Sequence, residues 1–469
     1  MTRGDLPLFE RRGTAILVLA EAFAACAGFL ATARIARSLG SDGYGGFEFV
    51  AALAAWWLIL VRGGFDALLV REAAKRPARL PILLSVQLIG RSAAALVGAL
   101  AVLTIGWAAG RPGLAAYASL ILVASALTPD LRARLEWKVG PLALAQVVRG
   151  LSLLGWSAWF VSGRGREYQA VAGLVVSEVC VALVHLRWSA QPARLTIARA
   201  WRMVRLRWGR SLAASVARFG RVTLYALDPI LLGLWHDPEL GPYAAARRLT
   251  FALLGLALVI PTTAAGPLAA AISRGAKQGT DVLERGLTLI LLLTLPPTLG
   301  LILTADGWMP RLFGPEYRAA GPLLALLVVR VPILAISAFI QTVLVAAGRD
   351  RFAGRLMANQ VAVALAAGSL GYAIAGLWGL AWSVLVVEVV GLACGWQALR
   401  DRSIALPRLR EYRWPKGLAS GLIGIVAGCL LAKGSSVEIR SFLGVLGFVL
   451  AWSASRIPWR TPVGLEASS

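Results

Sequence analysis

Eight arginines lie within long apolar segments of this 469-residue sequence, where a charged side chain is costly unless it meets water or a counter-ion. They are Arg62, Arg91, Arg149, Arg218, Arg221, Arg247, Arg248 and Arg330. A guanidinium stays charged at physiological pH, and its planar fork donates paired hydrogen bonds to phosphate or carboxylate oxygens. The chemistry that these residues predict is the binding of an anion.

Carboxylates in the same apolar segments are fewer than the arginines. The sequence offers Glu21, Asp66, Glu178, Asp228 and Glu388. Because these cannot pair with every arginine, we expect an interior that is water-filled and carries net positive charge.

One stripe of polar residues is defined by its spacing. Arg218, Arg221, Tyr225 and Asp228 follow one another at steps of three, four and three, which places them on one face of a helix. Pro229 comes next, removes a backbone donor and predicts a kink. The stripe fits a ligand site, and the alternative is a structural Arg/Asp cluster that ties helices together.

Arg62 and Asp66 stand at i and i+4 around Gly63 and Gly64. An ion pair at such a flexible point predicts a gate or a proton site. A neutralised pair near the cytoplasmic interface is the alternative.

Arg330, Ser337 and Gln341 share a face of another segment, and interhelical hydrogen bonding explains them as well as ligand contact does. For Arg91 and Arg149 the spacing indicates no obvious partner on the same segment. We include Arg91 and Arg330 among the candidates because each lies about ten residues from the nearer end of its span.

Other site classes find little support. The cysteines have no CxxC spacing and fall in four separate apolar segments: Cys26, Cys180, Cys394 and Cys429. With only two histidines, the sequence predicts neither a metal site nor a cofactor. The net charge of +24 is spread over short loops, which argues against nucleic acid and favours anionic membrane lipids as partners.

The elements that must position these side chains are transmembrane helices. The chain is 58% hydrophobic and 15% charged, and apolar runs of about 20 residues recur along it. Fourteen segments qualify: about 14–37, 46–70, 81–108, 113–129, 141–162, 168–187, 212–235, 242–272, 283–304, 320–347, 353–374, 376–399, 416–433 and 440–456. The predicted fold class is an all-α polytopic membrane protein.

The distribution of Lys and Arg predicts the topology. Of 48 basic residues, 31 fall on the side of the N-terminus and 9 on the other side, the remainder being the eight buried arginines. Basic loops stay in the cytoplasm, so we expect both termini there.

Residues 191–211 separate the first six segments from the next six. Ile197, Trp201, Val204 and Trp208 form an apolar stripe from which the arginines turn away, typical of a basic helix at a membrane surface. We therefore expect lobes at 1–190 and 212–400 and a C-terminal part at 401–469. A solvated charged loop is the alternative for the linker.

Sequence motifs carry a family resemblance from about residue 12 to 400. They are ARIARSLGSDGYGGFEF with the helix after it, LDPILLGLWHDPELGPYAAARRL, LFGPEYRAAGPLLALL and VLVAAGRDRFAGR. The chain resembles the polysaccharide biosynthesis or oligosaccharide flippase (Wzx-type) branch of the multidrug/oligosaccharidyl-lipid/polysaccharide exporter superfamily. The resemblance implies two six-helix lobes in a V, two additional helices at the C-terminus and alternating access.

The resemblance also implies a cargo and a location. The cargo is an undecaprenyl-diphosphate-linked oligosaccharide, moved outward across the bacterial cytoplasmic membrane for surface polysaccharide synthesis, with a polymerase of that pathway as a protein partner. Within this interpretation the substrate-binding residues are Arg62, Arg91, Arg218, Arg221, Tyr225, Arg330 and Gln341. The expected coupling sites for H⁺ or Na⁺ are Asp66, Asp228 and Glu388.

Three alternatives remain. A lipid II flippase of the same superfamily would carry the same lipid diphosphate. A multidrug exporter would move organic cations, which a net-positive cavity repels. A membrane polymerase or ligase would use catalytic groups in an outer loop, but the longest one, about 305–319, offers only Asp306 and Glu316.

Overall fold

The computed structural model describes residues 8–135, 139–189, 197–274, 276–400, 416–432 and 434–454. All regular elements in these ranges are helical. The first seven α-helices are α1 (Leu8–Lys75), α2 (Leu80–Ala108), α3 (Pro112–Ala126), α4 (Leu131–Leu135), α5 (Val139–Trp159), α6 (Glu167–Trp188) and α7 (Ile197–Leu234). The remainder are α8 (Leu240–Ala257), α9 (Val259–Arg274), α10 (Ala276–Phe313), α11 (Gly321–Val328), α12 (Arg330–Ala346), α13 (Asp350–Arg400), α14 (Lys416–Leu431) and α15 (Val437–Ala454).

Two of the long helices are each interrupted once. Gly40 adopts φ +74° inside α1, and Gly376 adopts φ +57° inside α13. This left-handed region is open to glycine at little cost, so the chain can turn there and start a new helical segment. The interruptions separate the first expected segment from the second and the eleventh from the twelfth.

Prolines account for two further interruptions. Pro261 is the third residue of α9 and Pro332 is the third residue of α12. A proline cannot donate to the carbonyl four residues earlier, which here belongs to Ala257 or Val328, the last residue of the preceding helix. The eighth and tenth expected segments are therefore each divided into two short helices.

In the part of the chain that the structure describes, all fourteen expected segments fall on helix, and the predicted all-α fold class is confirmed. Eight helices within the described residues are long and apolar enough to cross a membrane. The number of crossings and the location of the termini stay predictions. The expected outer loop at 305–319 is instead the end of α10 followed by a 3₁₀ helix at Pro315–Ala320.

Apolar side chains are exposed along many of these helices. Examples are Leu96 at 63%, Ile374 at 75%, Leu431 at 85% and Phe442 at 66%. Apolar patches of this extent are rare on soluble monomers and are expected where lipid replaces water.

The described chain divides into two compact units. The first comprises the described residues within 1–248, 312–317 and 353–387, and the second comprises those within 249–311, 318–352 and 388–469. These units do not follow the expected lobes, which stay a prediction.

The linker helix packs within the first unit. Residues 197–211 continue into the seventh expected segment as the single helix α7. Val204 is fully buried in a cluster with Leu69, Ala73, Leu83, Leu84, Val86 and Leu131. Trp201 is 46% exposed, whereas the side chains of Ile197 and Trp208 lie outside the described residues. The apolar stripe thus contributes at least one residue to protein packing.

In the second unit, α14 and α15 form a closely packed hairpin. A Cβ on Gly424 would lie 2.1 Å from the carbonyl oxygen of Gly447, and a Cβ on Gly447 would lie 2.1 Å from the carbonyl oxygen of Gly424. Only glycine allows two helix backbones to come this close, as is common between helices in membranes. Trp308 of α10 contacts the hairpin through Ser441.

Candidate functional site

Four side chains from four helices meet around Glu178. Arg62 of α1 donates from Nη2 to Glu178 Oε2 and from Nε to the hydroxyl of Ser125, at 2.6 Å. Arg149 of α5 approaches Glu178 Oε1 with Nη2 at 3.3 Å. These residues, Arg62, Ser125, Arg149 and Glu178, are called the Glu178 cluster below.

Two members of the Glu178 cluster, Arg149 and Glu178, lie near the middle of their helices. Arg149 is ten residues from both ends of the 21-residue α5, and Glu178 is eleven and ten residues from the ends of the 22-residue α6. At roughly 1.5 Å per residue, this is about 15 Å from either helix end. Transporters hold their substrates at such a depth.

The charge of the cluster is unbalanced, and its arginines are accessible. Two guanidiniums share one carboxylate, which leaves a net positive charge. The side chains of Arg62 and Arg149 are 27% and 32% exposed, while that of Glu178 is 9% exposed. The cluster can therefore accept a further anionic group.

Arg91 is enclosed in a different network. It donates from Nη2 to Asp130 at 2.8 Å and from Nη1 to the carbonyl of Thr128, and its side chain has no exposure. Gln87 and Arg134 also donate to Asp130. In this conformation Arg91 is closed to ligands, so contact with substrate stays a prediction that requires the pair with Asp130 to open.

Asp130 lies between α3 and α4, outside the helices that could span a membrane. Burial alone would raise the pKa of its carboxyl, but the guanidinium of Arg91 and then that of Arg134 hold this pKa well below its usual range. The group is accordingly an anion at any physiological pH and compensates the charge of Arg91.

Arg330 and Glu388 form a second enclosed ion pair, in the second unit. Arg330 Nε lies 3.0 Å from both carboxylate oxygens and Nη2 lies 2.6 Å from Oε1. The two side chains are 1% and 3% exposed. Contact of Arg330 with substrate and ion coupling at Glu388 remain predictions that require this pair to open. Gln341, in the same helix as Arg330, is buried at 9% exposure.

The expected stripe on α7 is described only in part. The side chain of Arg218 lies outside the described residues, as does that of Asp66 on α1. Arg221 and Tyr225 are half-buried, and Asp228 is buried and accepts a hydrogen bond from the hydroxyl of Tyr243 at 2.8 Å.

A polar group around Arg247 adjoins this stripe. Arg247 Nη2 donates to the carbonyl of Tyr225, and Nη1 lies 4.0 Å from Glu48. Glu48 accepts a hydrogen bond of 2.8 Å from Tyr44. The kink expected at Pro229 does not interrupt α7, which runs as one helix to Leu234.

Sequence reasoning overlooked two carboxylates and one grouping. Glu48 and Asp130 lie at the edges of expected segments and were not counted among the buried carboxylates, so more arginines have a counter-ion than expected. The meeting of Arg62 with Arg149 and Glu178 joins residues 116 positions apart, which no helical spacing reveals. The one sequence signal for this grouping is that Arg149 and Glu178 both lie near the middle of their expected segments.

Comparisons with known proteins agree with this architecture. Residues 35–322 match the family model described as polysaccharide biosynthesis protein. No curated protein sequence matches the chain. Within the described residues, no group of three or more His, Cys, Asp and Glu side chains could hold a metal ion.

Solved structures share the fold at low sequence identity. The lipid II flippase MurJ in an inward closed conformation has a TM-score of 0.70 and 12% identity, covering 94% of this chain and 98% of its own. An inward-facing multidrug resistance MATE family transporter of the MOP superfamily has a TM-score of 0.59 and 14% identity, covering 81% and 96%. A mutant of the Vibrio cholerae MATE transporter VcmN has a TM-score of 0.53 and 15% identity, covering 84% and 98%.

Proposed function

Because the chain belongs to the polysaccharide biosynthesis protein family, we propose that it is a flippase for an undecaprenyl-diphosphate-linked oligosaccharide. It moves the glycan head group from the cytoplasmic to the outer face of the bacterial cytoplasmic membrane by alternating access. The product supplies surface polysaccharide synthesis, where a polymerase of the pathway takes it up. The observation that carries the proposal is the accessible, net-positive Glu178 cluster, in which Arg149 and Glu178 lie at mid-helix depth.

The chemistry of the cargo fits this cluster. A diphosphate presents several anionic oxygens, and two guanidinium forks can each bind a pair of them. An arginine at this depth is expensive in hydrocarbon, and a substrate anion is a physical reason to keep it accessible. Arg62 and Arg149 are therefore the first arginines that the diphosphate meets.

The remaining candidates take secondary roles. Arg218, Arg221, Tyr225 and Gln341 contact the first sugars or the second phosphate. Arg91 and Arg330 join them only in a conformation in which their ion pairs have opened. Asp66, Asp228 and Glu388 are the proposed sites for a coupling H⁺ or Na⁺.

A lipid II flippase is the second candidate, favoured by the similarity in fold to MurJ over nearly the whole chain. Both cargoes present the same lipid diphosphate, so the Glu178 cluster serves either. The MATE fold supports a multidrug exporter less, because a net-positive site repels organic cations.

Translocation in proteoliposomes tests the proposal. The full-length protein is reconstituted with a fluorescent undecaprenyl-diphosphate-linked oligosaccharide or with fluorescent lipid II, and arrival in the opposite leaflet is measured by dithionite quenching. We expect transport of the oligosaccharide carrier to exceed that of lipid II and the R62A/R149A variant to lose it. R187A, an exposed arginine on α6, is the matched control. Unchanged transport by R62A/R149A would refute the proposed site, and faster transport of lipid II would favour the second candidate.

A further inference from the structure

Glu178 occupies the position between two arginines that a substrate anion would fill. Its Oε2 accepts from Arg62, and its Oε1 faces Arg149. The two oxygens of a carboxylate match two of the oxygens of a phosphoryl group in their spacing and their negative charge. Resting on the function proposed above, we propose that Glu178 is a built-in competitor of the substrate phosphate. It holds Arg62 and Arg149 while the site is empty, gives way when the phosphate binds and returns when the phosphate leaves.

Two other buried ion pairs are built differently. Arg330 and Glu388 make three contacts of 2.6 to 3.0 Å and are almost fully enclosed. Asp130 accepts from Gln87, Arg91 and Arg134. Each of those carboxylates accepts three hydrogen bonds, so a ligand can replace it only by breaking several of them.

The Glu178 cluster retains unused donor capacity. Arg149 Nε is buried and has no hydrogen-bond partner among the described residues, its Nη1 donates to Gln146 at 3.4 Å, and its Nη2 makes only a 3.3 Å approach to Glu178. A buried donor without a partner carries a desolvation cost that a better acceptor would remove. A phosphoryl group, with more oxygens than a carboxylate, can satisfy Arg149 and Arg62 together.

Competition of this kind serves transport because a carrier must release its cargo. Two bare guanidiniums would bind a diphosphate tightly and hold it. A carboxylate that stabilises the empty site lowers the affinity for the diphosphate. The free energy needed to displace the carboxylate is subtracted from the free energy of binding, which is the difference between the empty and the occupied site. Glu178 thus sets the affinity and the rate of release without contacting the cargo, which makes it a positioning residue.

Binding and transport measured on the same variants test the proposal. The probe is undecaprenyl diphosphate, with uncharged undecaprenol as its control, added to the full-length protein in nanodiscs. We expect E178Q to bind undecaprenyl diphosphate about tenfold more tightly than the wild type and to transport its cargo more slowly because release is delayed. E316Q, which alters an exposed carboxylate outside the cluster, is expected to match the wild type.

The possible failures are distinct. If R62A loses binding but E178Q binds no more tightly than the wild type, Glu178 is only a structural counter-ion and the inference is overturned. If the wild type binds undecaprenyl diphosphate no better than undecaprenol, the proposed function itself fails. Should E178Q not fold, E178D retains the charge but withdraws it by one methylene. A smaller gain in affinity is then expected, and unchanged or weaker binding would refute the competitor role.

Discussion

Arg247 donates a hydrogen bond to the main-chain carbonyl of Tyr225, the carbonyl that Pro229 deprives of its helical donor. A proline inside a helix removes the bond to the residue four positions earlier. Within a membrane, the freed carbonyl must find another partner. The guanidinium of Arg247 supplies it, which explains how α7 continues through Pro229 to Leu234.

This relationship predicts a coupling between Arg247 and Pro229. R247A should lower the free energy of unfolding, because it removes the hydrogen bond that Arg247 donates to the Tyr225 carbonyl. In the P229A background the helix supplies its own N–H, so the same change should cost less, by about 1 kcal/mol. A double-mutant cycle of unfolding in detergent measures the difference. R248A, whose guanidinium donates to Thr32, is the matched control and should show no coupling to P229A.

The enclosed pair of Arg330 and Glu388 predicts that substituting one partner destabilises the protein more than substituting both. E388L leaves a buried guanidinium without its anion and should cost on the order of 3 kcal/mol of stability. R330M/E388L removes both charges and should recover most of that loss, because apolar side chains of similar volume replace the pair. Thermal unfolding of the three proteins decides the matter, and additive losses would contradict the expectation.

Asp130 predicts a particular dependence on pH. In the folded state burial would raise the pKa of this carboxyl, but the charges of Arg91 and Arg134 outweigh burial and lower it. A carboxyl of this kind stabilises the fold above its unfolded pKa, about 3.9, and loses that contribution as the pH falls through the folded pKa. The stability lost in D130N should therefore persist from about pH 8 to pH 5 and should shrink below about pH 4. A loss that has already vanished at pH 5 would argue against the ion pair.

The contacts of Arg62 predict that a positive charge without the planar shape of a guanidinium is insufficient for transport. Its Nε donates to Ser125 while Nη2 donates to Glu178, and both bonds use the planar fork. R62K keeps the charge but offers a single ammonium, so we expect transport to fall by about tenfold. R187K on α6 is the matched control, and flux in the proteoliposome assay is the measurement. Full activity of R62K would mean that charge alone is recognised.

Much of the fold could be predicted from the sequence, since the apolar runs and their breaks are local properties. Gly40 and Gly376 interrupt their helices where breaks were expected between segments. The division before Pro261 and Pro332 was missed because apolar composition continues across both sites. Hydropathy reports burial in lipid and gives no information on backbone hydrogen bonds.

The candidate site could be predicted only in its residue types. The intramembrane arginines indicated anion chemistry, and Arg62 proved to lie in the accessible cluster. Their counter-ions were not predictable, because Arg62 meets Glu178 and Arg91 meets Asp130 through tertiary packing. Helical spacing relates residues on one helix and says nothing about which helices become neighbours.

The distance along the chain between Arg62 and Glu178 constrains how the protein is made. Arg62 enters the membrane with α1, but its counter-ion follows 116 residues later, in α6. Until the ribosome has delivered α6, the nascent chain carries Arg62 in or beside the bilayer without the counter-ion that it contacts in the folded protein. For Arg91 the counter-ion Asp130 is synthesised only 39 residues later. The helix that contains Arg62 must therefore stay near the insertion machinery, or be held by its flanking apolar residues, until nearly half of the chain's apolar segments have been synthesised.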